Sequence, residues 1–224
     1  MDAKEIAARS AVAAIESGMV VGLGSGTTSL CAVHVLAERI RNEKLEIVGV
    51  PTSVATEREA RALGIPLATL EEKTELDLAI DGADQVDEQL ACIKGYGGAL
   101  VREKIVARCA RRFLVMVDPS KLAPVLDKPV PVEVLPFGWA VAWRELVALG
   151  GHPHMRRSEG EPYRTDNGNY ILDVDLGRMA DPAALATRIA ALPAVVDHGL
   201  FVGIVSELHV GESRGARIVR RPSR

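Results

Sequence analysis

Cysteine is scarce in this chain and nothing suggests that it is paired. The 224 residues hold only Cys31, Cys92 and Cys109, an odd number, widely spaced, with no CxxC. A disulfide framework is therefore excluded, and a reducing cytoplasm is the expected location. Charge of one sign is also missing: 27 basic against 30 acidic residues leave a formal net charge of −3. That balance gives no electrostatic reason to expect a nucleic-acid partner. The nearest thing to a basic patch, Arg214, Arg217, Arg220, Arg221 and Arg224, reads as a solvated tail. The longest nearly unbroken apolar run, 134–143, falls short of the ~20 residues a membrane-spanning helix needs. The opening MDAKEIAARS lacks the apolar core of a signal peptide, so no membrane partner is expected. Of five histidines only His152 and His154 lie close, without a cysteine or carboxylate at ligand spacing, and no metal site is expected.

What is present is apolar residue in quantity, 48% of the chain, enough for a real core. The spacing predicts helices over 3–17, 29–41, 53–63 and 99–110. It predicts strands over 19–23, 45–50, 65–70, 76–80, 91–93 and 112–117. This alternation indicates an α/β fold with a doubly wound, mostly parallel sheet. Near Asp127 the character changes: KPVPVEVLP is proline-punctuated and extended. A helix over 139–149, strands over 153–157 and 170–176, and a helix opened by Asp181-Pro182 follow. That order predicts a second, smaller, ferredoxin-like α+β domain. Segments 199–205 and 216–219 are expected to return to the first sheet. The catalytic domain is thus expected over 1–128 plus about 207–224, and the small domain over about 129–206. No internal repeat or low-complexity segment is found.

Three polar clusters stand out. The strand at 19–23 runs into Gly24-Ser25-Gly26-Thr27-Thr28 and then a helix. Glycines let backbone approach a ligand closely, and loop amides at a helix N-terminus favour an anion. Ser25, Thr27 and Thr28 add hydroxyl donors suited to a phosphate monoester. The GxGxG spacing lacks a Walker lysine and is a poor dinucleotide fingerprint. The second cluster, DGADQVD, sets Asp81 and Asp84 three apart after a strand. In the third, KGYGGALVREK, Lys94 opens a glycine-rich turn and Glu103 follows on a helix. In doubly wound sheets ligands sit beyond the carboxyl ends of the strands, where all three clusters and Lys121 are expected. Taken singly, each has an ordinary explanation: a tight βα turn, Asp capping a turn, a solvated Glu-Lys face. Taken together they point to proton transfer on a phosphorylated sugar.

In an aldose–ketose interconversion a base moves a proton between adjacent carbons. Glu103 suits that task, because burial raises a carboxyl pKa toward the working pH. Lys94 and nearby loop amides can steady the enediolate oxygen, a contribution of about 10²–10³ in rate for such a donor. Asp81 and Asp84 can hold sugar hydroxyls and move their protons. Trp139 and Trp143, four apart on a helix, read as core or subunit contact.

GLGSGTTS, DGADQVD, KGYGGALVREK, PVEVLP and TDNGNYILDV together resemble the A-type ribose-5-phosphate isomerase family, in order and over nearly the whole chain. The resemblance implies reversible conversion of D-ribose 5-phosphate to D-ribulose 5-phosphate in the non-oxidative pentose phosphate pathway. It implies no cofactor, and homodimers or homotetramers assembled largely through the smaller domain, while the lack of a metal-ligand cluster in the sequence favours a metal-free enediolate route over a metal-assisted hydride shift. Glu103 matches the family's base, and Asp81, Asp84 and Lys94 match its polar catalytic neighbours. Ser25, Gly26, Thr27 and Thr28 match the phosphate-side loop, with Lys4 near the phosphate and Lys121 at the far edge. Gly82, Ala83, Gly95, Tyr96 and Gly97 complete the substrate-binding set. The usual GTGST loop is here Gly24-Ser25-Gly26-Thr27-Thr28, and Tyr96 replaces a more usual glycine. Other functions share this architecture. A sugar-phosphate-binding regulator would need a DNA-binding segment, and the chain opens directly on the scaffold. A CoA-transferase would need room for a CoA tail. An amino-sugar-phosphate deaminase would want a histidine near its acids, and residues 81–104 hold none.

Overall fold

A computed structural model describes residues 2–221. The chain divides into two compact units, one of residues 1–83, 102–122 and 204–224, the other of 84–101 and 123–203. It opens with α1 (Ala3–Val12), β1 (Val20–Leu23), α2 (Thr27–Glu43), β2 (Val48–Pro51), α3 (Val54–Ala62) and β3 (Leu76–Gly82). Two short strands, β4 (Gln85–Val86) and β5 (Cys92–Ile93), precede α4 (Leu100–Cys109) and β6 (Ala110–Val117). Then come β7 (Val130–Val134), α5 (Trp139–Ala148), β8 (His152–Met155), β9 (Arg157–Ser158) and β10 (Glu161–Pro162). The remaining elements are β11 (Tyr170–Asp175), α6 (Pro182–Ala190), β12 (Val195–His198), β13 (Leu200–Phe201), β14 (Glu207–Glu212) and β15 (Gly215–Arg220). No helix among the described residues is long and apolar enough to cross a membrane.

Helix starts follow their caps. The carboxylates of Asp2 and Asp181 accept from the N–H groups of Glu5 and Ala184, and the Ser53 hydroxyl accepts from Thr56 N–H. Such a cap stabilises by about 1 kcal/mol. Helix α1 stops at Val12, short of the expected 17, and the turn after it is tied by Arg39, which donates to the Val12 and Ile15 carbonyls at 2.7 and 3.0 Å.

The first unit carries a six-stranded sheet in the order β15-β14-β6-β3-β1-β2, parallel throughout except for β15. Its apolar strands are covered on both faces, as a parallel sheet requires. Leu23, Leu78, Ile80 and Leu114 are fully buried with Leu36 of α2 and Val12 of α1. Each large side chain so buried contributes about 1.5–3 kcal/mol. Two expectations fail here. Segment 65–70 makes only an isolated bridge, Leu67 to Gly49, since Pro66 has no N–H to give a ladder. The arginine-rich end is not a solvated tail through Arg220: Arg217 and Arg220 lie in β15, paired to Glu212 at 2.8 Å and Glu207 at 3.4 Å. Arg224 lies outside the described residues. Strand β14, parallel to β6, lies hard against α1. A Cβ on Gly211 would come within 1.8 Å of the Ala3 carbonyl oxygen.

The second unit holds an antiparallel four-stranded sheet in the order β12-β7-β11-β8. With α5 and α6 this is the β-α-β-β-α-β connection expected from the sequence. Val130, Val132, Val134, Leu146, Leu172, Val174 and Ile189 are fully buried at its core. A separate three-stranded sheet runs β13-β5-β4, antiparallel throughout. The expected return of 199–205 to the first sheet is therefore corrected: Leu200 and Phe201 pair with Ile93 and Cys92 instead.

Candidate active site

In the first unit, β1 delivers Gly24 and Ser25 directly beside the end of β3. Gly24 N–H donates to the Ile80 carbonyl at 3.0 Å. A Cβ on Gly24 would lie 2.1 Å from Asp81 Oδ1, so only glycine fits. Asp81 is 2% exposed, and its Oδ1 accepts from Ser25 N–H at 3.1 Å, Ser29 Oγ at 2.7 Å and Gly82 N–H at 2.8 Å. A carboxylate so held braces the glycine loop from below. The Ser25 hydroxyl joins a hydroxyl cluster with Thr52 Oγ1 at 2.7 Å and Ser53 Oγ at 2.8 Å.

Gly26 carries φ +89 and offers no side-chain acceptor to the first N–H groups of α2. The two threonines occupy the helix's first turn, two residues earlier than its expected start. Lys4 on α1 donates from Nζ to Thr27 Oγ1 at 3.1 Å. Lys121 closes a 3₁₀ turn, Pro119–Lys121, that follows β6. Between the two lysines in charge terms is Asp118. Burial raises its pKa, but hydrogen bonds from Ser120 and the charges of Lys121 and Lys4 outweigh that and hold it below the usual carboxylate value. The unit thus gathers Lys4, Thr27, Thr28 and Lys121 into one cationic, hydroxyl-bearing surface region around a helix start. Glu103, 4% exposed, sits in the first turn of α4 in this unit.

The second unit holds Asp84 and the turn after Lys94. The shared sheet edge expected for all clusters is corrected here: Lys94 follows β5 of the small antiparallel sheet, not a strand of the parallel one. Its backbone N–H donates to Gly199 O at 2.9 Å, and its ammonium lies 5.3 Å from the Phe201 ring centre. The side chain is 2% exposed. Asp84 Oδ2 accepts from Tyr96 N–H at 3.0 Å, and the Asp84 carbonyl accepts from Lys128 Nζ at 3.1 Å. The Tyr96 hydroxyl donates to Pro129 O at 3.1 Å. Burial, then the Asp84 and Asp173 carboxylates, push that phenol up to about 12 against the opposing charge of Arg156, so it stays a donor. Arg156 donates from Nη1 to the carbonyls of Gly95 at 2.9 Å and Tyr96 at 3.1 Å, and its other edge grips the Asp173 carboxylate.

Sequence reasoning missed Arg156, Asp173, Phe201 and the Thr52-Ser53-Thr56 hydroxyls. Only the last had a local signal, the Thr-Ser after a predicted strand end. A cavity of about 510 Å³ in the second unit, floored by Trp139, Trp143, Met155 and Tyr170, contains none of the predicted residues.

Comparison with known proteins finds relatives over nearly the whole chain. The family model described as ribose 5-phosphate isomerase A (phosphoriboisomerase A) matches residues 48–215. The ribose-5-phosphate isomerase A of Thermomicrobium roseum is 51% identical over 223 residues, covering 98% of this chain and 94% of the relative. That of Chloroflexus aurantiacus is 49% identical over 220 residues, covering 96% and 92%. Among solved structures, ribose 5-phosphate isomerase A of Methanocaldococcus jannaschii superposes with a TM-score of 0.93 at 39% identity, over 97% of each chain. A D-ribose-5-phosphate isomerase in complex with phospho-erythronic acid gives 0.95 at 37% identity, over 99% of this chain and 100% of that one.

Proposed function

This chain belongs to the ribose 5-phosphate isomerase A family, and from that premise we propose that it interconverts D-ribose 5-phosphate and D-ribulose 5-phosphate through an enediolate. The observation that carries the reading is near-full-length identity to enzymes of that name, 51% over 98% of the chain. The phospho-erythronic acid bound by one structural relative supports a phosphorylated sugar as ligand.

The Glu103 carboxylate takes the proton from C2 of the open-chain aldose. The C–H electron pair becomes the C1–C2 double bond, and the carbonyl oxygen becomes the enediolate oxygen. The Lys94 ammonium and the glycine-turn amides steady that charge. Asp81 and Asp84 handle the hydroxyl protons, in ring opening and between O2 and O1. Glu103 then returns its proton to C1. Oxidation at C2 balances reduction at C1, so the step calls for no external electron carrier. The phosphate is the group for Lys4, Thr27, Thr28 and the α2 N-terminus, with Lys121 at the edge. Asp81 has a second task, holding the loop that carries Ser25.

The first unit carries Glu103, Asp81 and the phosphate-side groups, and the second carries Asp84 and Lys94 and also supplies a surface for self-association. Its exposed Phe137, Trp139, Val141 and Val147 support assembly as a homodimer or homotetramer. The test of the central reading is purified protein with ribose 5-phosphate, with and without chelator. Ketose should form at the same rate in both. No ketose overturns the assignment, and chelator sensitivity overturns the metal-free route.

A further inference from the structure

The Arg156 guanidinium is 14% exposed and committed on both edges. One edge, Nε and Nη2, meets both oxygens of Asp173 on β11. The remaining nitrogen, Nη1, donates to two successive carbonyls of the glycine turn, Gly95 O at 2.9 Å and Tyr96 O at 3.1 Å. The Tyr163 ring lies 5.9 Å from the guanidinium carbon. The same tyrosine hydroxyl lies where a Cβ on Gly98 would stand, 2.2 Å from it, and Gly98 itself holds φ +83.

A trans peptide is planar, with its C=O and N–H on opposite sides. Fixing the Gly95 carbonyl toward Arg156 therefore turns the Tyr96 N–H away from it, and that N–H reaches Asp84 Oδ2 at 3.0 Å. Fixing the Tyr96 carbonyl likewise turns the Gly97 N–H outward, at an exposed residue. One side chain sets two peptide planes, and through them the direction of a carboxylate and of a free amide donor.

We propose that Arg156, backed by Asp173 and Tyr163, is a positioning residue for the isomerisation: it orients the turn after Lys94 so that Asp84 and the turn amides meet the developing enediolate. The inference rests on the isomerase reading above. Lysine cannot substitute, because an ammonium has no planar fork to span a carboxylate and two carbonyls. Misplacement on the order of 1 Å at a reacting group costs about 10²-fold in rate.

Wild type, Arg156→Lys, Arg156→Ala and a surface control, Arg164→Lys, are compared for kcat, KM for ribose 5-phosphate and Tm. Arg156→Ala should lose about 10²-fold in kcat with KM within about threefold, because the phosphate contacts lie on other residues. Arg156→Lys should lose at least about tenfold, and guanidinium ion in millimolar amounts should restore part of the Arg156→Ala rate where sodium does not. Arg164→Lys should behave as wild type. Arg156→Lys decides the case whether or not Arg156→Ala folds: a folded Arg156→Lys enzyme with wild-type kcat overturns the inference. So does a variant whose Tm falls while kcat per folded site is unchanged. Wild type that makes no ketose overturns the isomerase reading itself, a distinct outcome.

Discussion

Asp81 and Glu103 are both buried carboxylates, yet their surroundings assign them different consequences on mutation. Asp81 Oδ1 holds the Ser25 amide, the Ser29 hydroxyl and the Gly82 amide. Asp81→Asn should therefore lower kcat and also raise KM severalfold, since the phosphate-side loop loses its brace. Glu103→Gln should keep ligand affinity while kcat falls by about 10²–10⁴-fold, the usual worth of a positioned acid–base group. Steady-state kinetics with a calorimetric titration of a phosphorylated four-carbon acid separates the two patterns. Near-wild-type turnover in Glu103→Gln sinks its assignment as base. Replacing Thr27 and Thr28 together with Val should mainly raise KM, as expected of groups at a phosphate rather than at the reacting carbons. The clusters carrying these residues were legible in the sequence because motif chemistry is local. The burial of Asp81 under Gly24, and Tyr96 bound to Pro129 and Asp84, were not, because they depend on what the chain brings back from elsewhere.

Among elements, β14 carries a buried histidine whose packing depends on pH. His209 is 1% exposed, accepts or donates at Nδ1 with Ser10 Oγ at 2.8 Å, and lies near Glu207, Arg112 and Arg220. Burial pushes its pKa below 6.5, the Glu207 carboxylate opposes that, and the two arginines reinforce it. The unfolded histidine therefore binds a proton more readily than the folded one. Stability from keeping it neutral is complete above about pH 6.5 and is lost as pH falls toward the depressed folded pKa. The expected result is that His209→Gln flattens the decline of Tm between about pH 7 and 5. An unchanged slope would show that other groups set the acid limb. The sequence disclosed helices well, through period and caps. It misjudged 65–70, where an apolar run carries a proline, and it missed β14, where Glu207, His209 and Gly211 blur a buried strand into what reads as loop. A parallel strand buried on both faces shows no alternation, and polar residues satisfied by partners far away hide it further.

For the molecule as a whole, the α/β class and the ferredoxin-like connection were readable from element order. The grouping of 84–101 with 123–203 was not, because β4 and β5 are two residues each and their partner β13 lies about a hundred residues on. Self-association is tested by light scattering, which should give at least twice the 24.0 kDa chain mass. Phe137, fully exposed on the second unit, offers the probe: Phe137→Glu should shift the mass toward that of a single chain. Wild type already at 24.0 kDa would dispose of the oligomer proposal.

The contact of Gly211 with Ala3 has a bearing on how the protein is made. Helix α1, which carries Lys4, is seated on a strand that leaves the ribosome some two hundred residues later. Residues 84–101 and 123–203 can all be synthesised before that strand exists. A nascent chain arrested before residue 207 therefore has α1 packed on α2 and β6 but not on β14. Lys4, which donates to Thr27, is then carried by a helix that lacks one of its supports. Competence for the anionic ligand should therefore rise once residues 207–212 have been made and α1 can settle on them.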